Sequence, residues 1–340
     1  MRKSLFILFA IAIFLLLHSC KRESKRVEGT PYEIKEKLDS IPFVTISSEE
    51  VSILNIKTLE PFQTYQLQLK DFVGEYLFEK LLFLIEKKHA VIIDFEEETK
   101  TRIKLPFEVK GITPLTDAVI IYDDSEVYEI NRAGNVVKLV DVKKSLLEVH
   151  ALPGFSSILA VRQDDGTHEI VKISMLSKKG EFKAEIDEFI KMRISPFGKR
   201  VYVLTKKKLL FLDTKNLTII SEIPIKGEAV DFVVTASENK VFIFAKNPGK
   251  IISIKRTLLK VVSETEFSQP PEKEHITGDG GSLFFLSQDT LFRFDTGTHA
   301  VVRKIFYRSK PDIMLSSQKG LRLILGKQGE SACFLLNGNT

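Results

Sequence analysis

Short runs of β-branched and aromatic residues recur throughout the chain, broken by Gly, Asp, Asn and Lys, and no stretch carries the 3.6-residue period of a long amphipathic helix. One block repeats. Its clearest copy is Lys199–Thr205, Leu209–Asp213 and Leu217–Ile225: an apolar strand, a middle strand ending in Asp, and a third strand. Ser282–Leu286, Leu291–Asp295 and His299–Ile305 form a second copy, and Lys240–Ala245, Ile251–Ile254 and Leu258–Val262 a weaker one. Upstream, Leu81–Ile85, Ala118–Tyr122 and Ser157–Val161 each open a block of the same kind. Arg322–Leu325 with Ala332–Leu336 ends the series without a third strand. The middle strands begin near residues 90, 127, 169, 209, 251, 291 and 332, with gaps of 37, 42, 40, 42, 40 and 41.

A period near 40 with about four short strands per repeat predicts an all-β chain folded as a β-propeller of four-stranded blades. Such strands cannot bury both faces alone, and stacking the blades does it. Seven blocks predict seven blades, leaving six or eight open. The last block lacks its outermost strand, and the alternating segment Gln63–Lys70 is expected to complete it from the other end of the chain. Val51–Ile56 is a further strand that the period leaves without a place. The propeller domain is expected over residues 44–340.

Pro196-Phe197-Gly198-Lys199-Arg200-Val201-Tyr202-Val203 resembles the PDGKRVYV core of the YVTN-type propeller repeat, related to WD40 repeats, with Phe197 where that family has Asp. Leu212-Asp213-Thr214 and Ile223-Pro224-Ile225 match the DT turn and IPV strand that follow, and Phe294-Asp295-Thr296-Gly297 repeats the DT turn. Gly allows the positive φ of a tight turn, and Asp caps the next turn through its side chain. The resemblance covers one block well and a second in part, and it bears on fold alone.

The first forty residues follow another logic. Arg2 and Lys3 precede the apolar run Leu5–Leu17, thirteen residues long and too short for a membrane span of roughly 20. Leu17-His18-Ser19-Cys20 then resembles the bacterial lipobox, with His18 departing from the small or apolar residue usual there. The resemblance implies a signal peptide over residues 1–19, diacylglyceryl transfer to the Cys20 thiol, cleavage before it, and acylation (palmitate) of the new amino terminus. Two or more chains anchor stably. Residues 20–43 read as the lipidated cysteine and a charged tether, whose Lys21–Ile41 part reaches at most about 70–75 Å. Lys21 after the cysteine favours the outer membrane over the inner, by resemblance to enterobacterial sorting.

Removing Arg2 and Lys3 lowers the formal charge from +5 to +3, which leaves no electrostatic footprint for nucleic acid. With Cys20 lipidated, Cys333 is the only other cysteine, so no intrachain disulfide forms; it lies in an apolar run and reads as a buried thiol. The five remaining histidines show no paired metal spacing, and no cofactor is expected. Trp is absent, which argues against Trp-Asp repeats and a Trp sugar platform. Candidate ligand-binding residues lining a central channel are His150, Arg193, Asp231, His275 and Asp312, with Lys110 and Glu148 beside them. The acidic turns Asp123-Asp124, Asp164-Asp165-Gly166 and Gln288-Asp289 lack the DxDxDG calcium spacing and read as turn chemistry, and Lys206-Lys207-Lys208 reads as a solvated hairpin tip.

The expectation is a monomeric, membrane-anchored envelope lipoprotein, periplasmic or surface-facing, whose propeller is a non-enzymatic protein-binding or scaffold module. The alternative is a propeller enzyme, a lactonase-like hydrolase or a lyase, working at the channel mouth.

Overall fold

The computed structural model describes residues 43–46, 49–54, 61–115, 117–154, 156–195, 197–277, 279–306, 313–316, 322–327 and 330–337. The expected signal peptide, Cys20, the tether as far as Ile41, and Asp312 lie outside these residues.

Among the described residues the chain forms eight antiparallel sheets, each a meander of strands neighbouring in sequence. The first is β1 (Phe43–Ile46), β2 (Glu50–Leu54) and β3 (Pro61–Gln66). Four-stranded sheets follow, beginning with β4 (Phe72–Phe78), β5 (Leu81–Glu86), β6 (His89–Asp94) and β7 (Thr99–Lys104). Next come β8 (Gly111–Pro114), β9 (Ala118–Tyr122), β10 (Glu126–Asn131) and β11 (Val136–Asp141). Then β12 (Ser145–Ala151), β13 (Ser157–Asp164), β14 (Thr167–Ser174) and β15 (Gly180–Ile186) pair, followed by β16 (Phe189–Ile194), β17 (Arg200–Thr205), β18 (Lys208–Asp213) and β19 (Ile219–Pro224). The next sheet is β20 (Glu228–Val234), β21 (Lys240–Lys246), β22 (Gly249–Lys255) and β23 (Lys260–Phe267). The last two are β24 (Glu272–Ile276), β25 (Ser282–Ser287), β26 (Thr290–Asp295) and β27 (Ala300–Phe306), then β28 (Ile313–Ser316), β29 (Arg322–Lys327) and β30 (Glu330–Asn337).

The seven predicted blocks are the seven sheets from β4 to β30. One expectation is corrected. The segment Gln63–Lys70 does not complete the last block: β3 pairs with β2, placing Gln66 opposite Glu50 and Thr64 opposite Ser52. Val51–Ile56, without a place in the period, supplies the reason. It offers a partner one short loop away, and local pairing costs less loop-closure entropy than a partner some 250 residues distant.

The described chain forms two compact units. One holds Asp71–Val234 and Glu238–Ser268, and with them the five sheets from β4 to β23; the other holds β1–β3, Thr235–Ser237 and β24–β30. In the first unit, four apolar clusters each span two successive sheets. Phe83 and Ile92 pack with Val119 and Ile130, Ile120 and Tyr122 with Val149 and Ile158, Leu159 and Ile170 with Met192 and Val203, and Tyr202 and Phe211 with Phe232 and Ile243. The middle strands β5, β6, β9, β17 and β18 are therefore buried on both faces and read as continuous apolar runs, whereas the fourth strands alternate or lie exposed.

Turn chemistry recurs with the sheets. At the ends of several third strands an Asp caps the turn: Asp94 accepts from the amides of Glu96 and Glu97 (3.0 and 3.2 Å), and Asp213 from Lys215 (2.7 Å). Asn131 accepts from Asn135 (3.0 Å) in the same way. Thr214 Oγ1 then donates to the Gly198 carbonyl at 2.7 Å, tying the two turns at one end of the sheet together. In the other unit Asp295 caps Thr298 (2.7 Å) and Thr296 Oγ1 donates to Gly280 O at 2.6 Å. The residues carrying the repeat resemblance are thus braces between hairpins.

Candidate functional site

Four of the predicted ligand-binding residues lie on first strands: His150 on β12, Arg193 on β16, Asp231 on β20 and His275 on β24. In the β4–β23 unit β8 neighbours both β4 and β12, and β16 neighbours β20. β4, β12, β16 and β20 share a bulge, falling between Phe72/Gly74, Leu146/Glu148, Phe189/Lys191 and Ala229/Asp231. A bulge shifts the side-chain alternation by one residue. Beyond it, Val149, Met192 and Phe232 point into the core, at 2%, 1% and 0% exposure. Glu148, His150, Lys191, Arg193 and Asp231 fall on the opposite face.

These groups are brought together in pairs across neighbouring strands. Lys191 forms an ion pair with Asp231, and Arg193 Nη2 lies 3.6 Å from the other oxygen of the same carboxylate. Arg193 Nε also donates to the Phe232 carbonyl at 2.7 Å, with its guanidinium 5.5 Å from the centre of the Phe232 ring. Glu148 Oε2 lies 3.0 Å from His150 Nε2 and accepts from the Met192 amide at 3.3 Å, so it reaches from β12 to β16. Lys110 Nζ donates to Asp124 (2.7 Å) and to the Leu146 carbonyl (2.9 Å), linking the start of β8 to β12. Tyr122 lies within this group. A Cβ on Gly111 would come within 2.3 Å of its hydroxyl, and burial followed by the Glu148 charge pushes its pKa up to about 12.

Of the predicted residues, Arg193 and Asp231 therefore meet, and His150 meets Glu148 on its own strand. His275 lies on β24 in the other unit, where burial holds its imidazole below the ordinary value. Asp312 lies outside the described residues. Among the described residues no three His, Cys, Asp or Glu side chains lie close enough to share a metal ion. The acidic turns are occupied as turn chemistry: Asp123 accepts from the Ser125 and Glu126 amides at 2.7 Å each, and Asp164 pairs with Lys144.

Two residues escaped the sequence reading. Lys191 belongs with Arg193 as a partner of Asp231: both lie beyond the bulge and two residues apart, so strand alternation puts them on one face. Glu75 stands on β4 opposite Leu84, the register position held by Ile112 on β8, Val149 on β12, Met192 on β16 and Phe232 on β20. Burial alone pushes its carboxyl up to about 7. Writing the first strands under one another in register would have exposed it as the one acid in an apolar column.

No family model and no curated protein matches the chain. Solved structures do. The dihydro-heme d1 dehydrogenase NirN, in complex with DHE, is similar at 10% identity and a TM-score of 0.69, over 86% of this chain and 69% of that one. The computationally designed Ika8 protein is similar at 9% identity and a TM-score of 0.68, over 87% and 93%. The β-propeller domain of Cps50 (Swd1) from Myceliophteria thermophila is similar at 10% identity and a TM-score of 0.54, over 76% and 93%. With the succession of four-stranded antiparallel meanders, these likenesses show a β-propeller fold, and at such identities they speak to fold alone.

Proposed function

We propose that the protein is a lipid-anchored component of the cell envelope whose propeller serves as a non-enzymatic protein-binding module. The observation that carries this reading is the pairing of the first-strand charges. Lys191, Arg193 and Asp231 satisfy one another, Lys110 is held by Asp124 and Leu146, and Glu148 is held by His150 and Met192. Charges committed in this way hold neighbouring strands in register, and a site for small-molecule chemistry needs polar groups free to meet a substrate. The anchor at Cys20 rests on the lipobox, and the outer membrane on Lys21. A tether of about 20 residues would keep the propeller at high effective concentration beside membrane partners.

The test is capture of the full lipidated chain, cross-linked in envelope extracts, alongside Cys20→Ser. The expected result is one stoichiometric protein partner, with membrane retention lost in Cys20→Ser. Membrane retention by Cys20→Ser would refute the lipid anchor. Recovery of a bound small molecule or metal in place of a protein would refute the binding module.

The second reading, a propeller enzyme, is favoured by one feature: the Glu148–His150 pair, in which a carboxylate orients an imidazole able to carry a proton.

A further inference from the structure

Charge is unevenly spread along the chain. Between Lys199 and Lys260 there are thirteen Lys and Arg against five Asp and Glu, an excess of eight, whereas the whole chain carries +5. The rest of the protein is therefore net acidic, and the positive charge is local. In the β4–β23 unit the fold gathers part of it at one loop end. The Ile225 amide donates to the Lys207 carbonyl at 2.7 Å, setting the β19–β20 link against the tip of the β17–β18 hairpin. A Cβ on Gly227 would come within 3.6 Å of the Lys246 carbonyl, setting the same link against the β21–β22 hairpin. Lys206, Lys207, Lys226 and Lys246 thus stand on or beside three neighbouring links.

Of the carboxylates near them, Glu188 pairs with Lys206 at 3.6 Å, Glu228 with Lys246 at 3.0 Å and Glu222 with Lys208 at 2.9 Å, and Asp187 lies exposed beside Glu188. Lys246 first, then a hydrogen bond from Asn247 and the Lys206 charge, hold the Glu228 carboxyl below its usual range. Lys207 and Lys226 are exposed, and neither ammonium has a hydrogen-bond or ion-pair partner among the described residues. Two uncompensated ammonium groups thus stand on adjoining loops beside two ion pairs.

We infer that this loop end, centred on Lys207 and Lys226, docks an acidic peptide segment of the protein partner; the inference rests on the protein-binding reading. A peptide can place carboxylates beside Lys207 and Lys226 while avoiding Glu188 and Glu228. A uniform anionic membrane surface would press on those two exposed carboxylates as well, which disfavours it.

The test uses the full chain, a fluorescent Glu/Ser-rich peptide and, separately, phosphatidylglycerol/phosphatidylcholine vesicles. The peptide is expected to bind, weakening about tenfold in Lys207→Ser/Lys226→Ser and weakening also as salt rises. Equal affinity in the double variant, or no peptide binding by the wild type, overturns the inference. So does vesicle binding that the double variant loses while the peptide does not bind. Failure here is distinguishable from failure of the protein-binding reading. A cross-linked partner retained by both wild type and double variant removes this surface and leaves the module, whereas absence of any partner on the wild type removes the module itself.

Discussion

Gly198→Ala is expected to cost about 3–4 kcal/mol of unfolding free energy, read as a lower urea midpoint with an unchanged slope. Gly198 has φ +66°, and a Cβ there would sit 2.7 Å from Pro153 Cγ and 2.8 Å from its Cδ, in the turn of the preceding sheet. Backbone strain alone does not set the cost. Glu238 holds the equivalent position one sheet on, with φ +55°, and the fold accommodates it. There Arg256 Nε donates to the Glu238 carbonyl, in the role Thr214 plays for Gly198. Glu238 also uses its carboxylate to accept from the Phe197 amide at 3.1 Å. What Gly198 alone requires is room for a rigid proline ring. Gly166, with φ +82° and nothing within 4 Å of a built Cβ, is the control, and Gly166→Ala should cost only about 1–2 kcal/mol.

Glu75→Gln is expected to stabilise the protein by about 2–3 kcal/mol at pH 8 and to leave it unchanged below pH 4.5. The sign follows from the carboxyl pKa, raised from 4.5 to about 7 by burial. Between those values the folded chain keeps a proton that the unfolded chain has released. The burden on folding therefore grows as pH rises through this window and is complete above it. An amide has nothing to ionise, so the variant's stability should not fall over that range on this account. Chemical denaturation at a series of pH values checks it, and parallel curves for the two proteins would refute the burial of Glu75. His275, held low by burial, works in the opposite sense in the other unit: charging it costs stability as pH falls below 6.5.

The repeat was legible because burial on both faces forces apolar runs at the second and third strands of each sheet, and turns closed by Asp or Gly space those runs evenly. The braces Asp213–Thr214 and Asp295–Thr296 could be read before their hydrogen bonds were known, since a side chain that caps its own turn is a local signal. Pairing over distance was not legible. Nothing in Gln63–Lys70 reveals that β3 prefers β2, because an alternating strand fits any edge. The candidate site was half visible. The first strands could be picked out as polar, which singled out His150, Arg193 and Asp231. Lys191 shares a face with Arg193 by simple alternation and was overlooked, whereas the bulge between Phe72 and Gly74 hid the register of Glu75.

The central claim is that the first-strand charges hold sheets together and leave recognition to the exposed loops. A double-mutant cycle on Lys191→Ala and Asp231→Ala, read by urea unfolding of the full chain, tests it most directly. The account predicts a favourable coupling of about 1–2 kcal/mol, discounted for the partial exposure of both groups, with capture of the protein partner undiminished. Additivity within about 0.5 kcal/mol, together with loss of a bound partner or small molecule in either single variant, would contradict it.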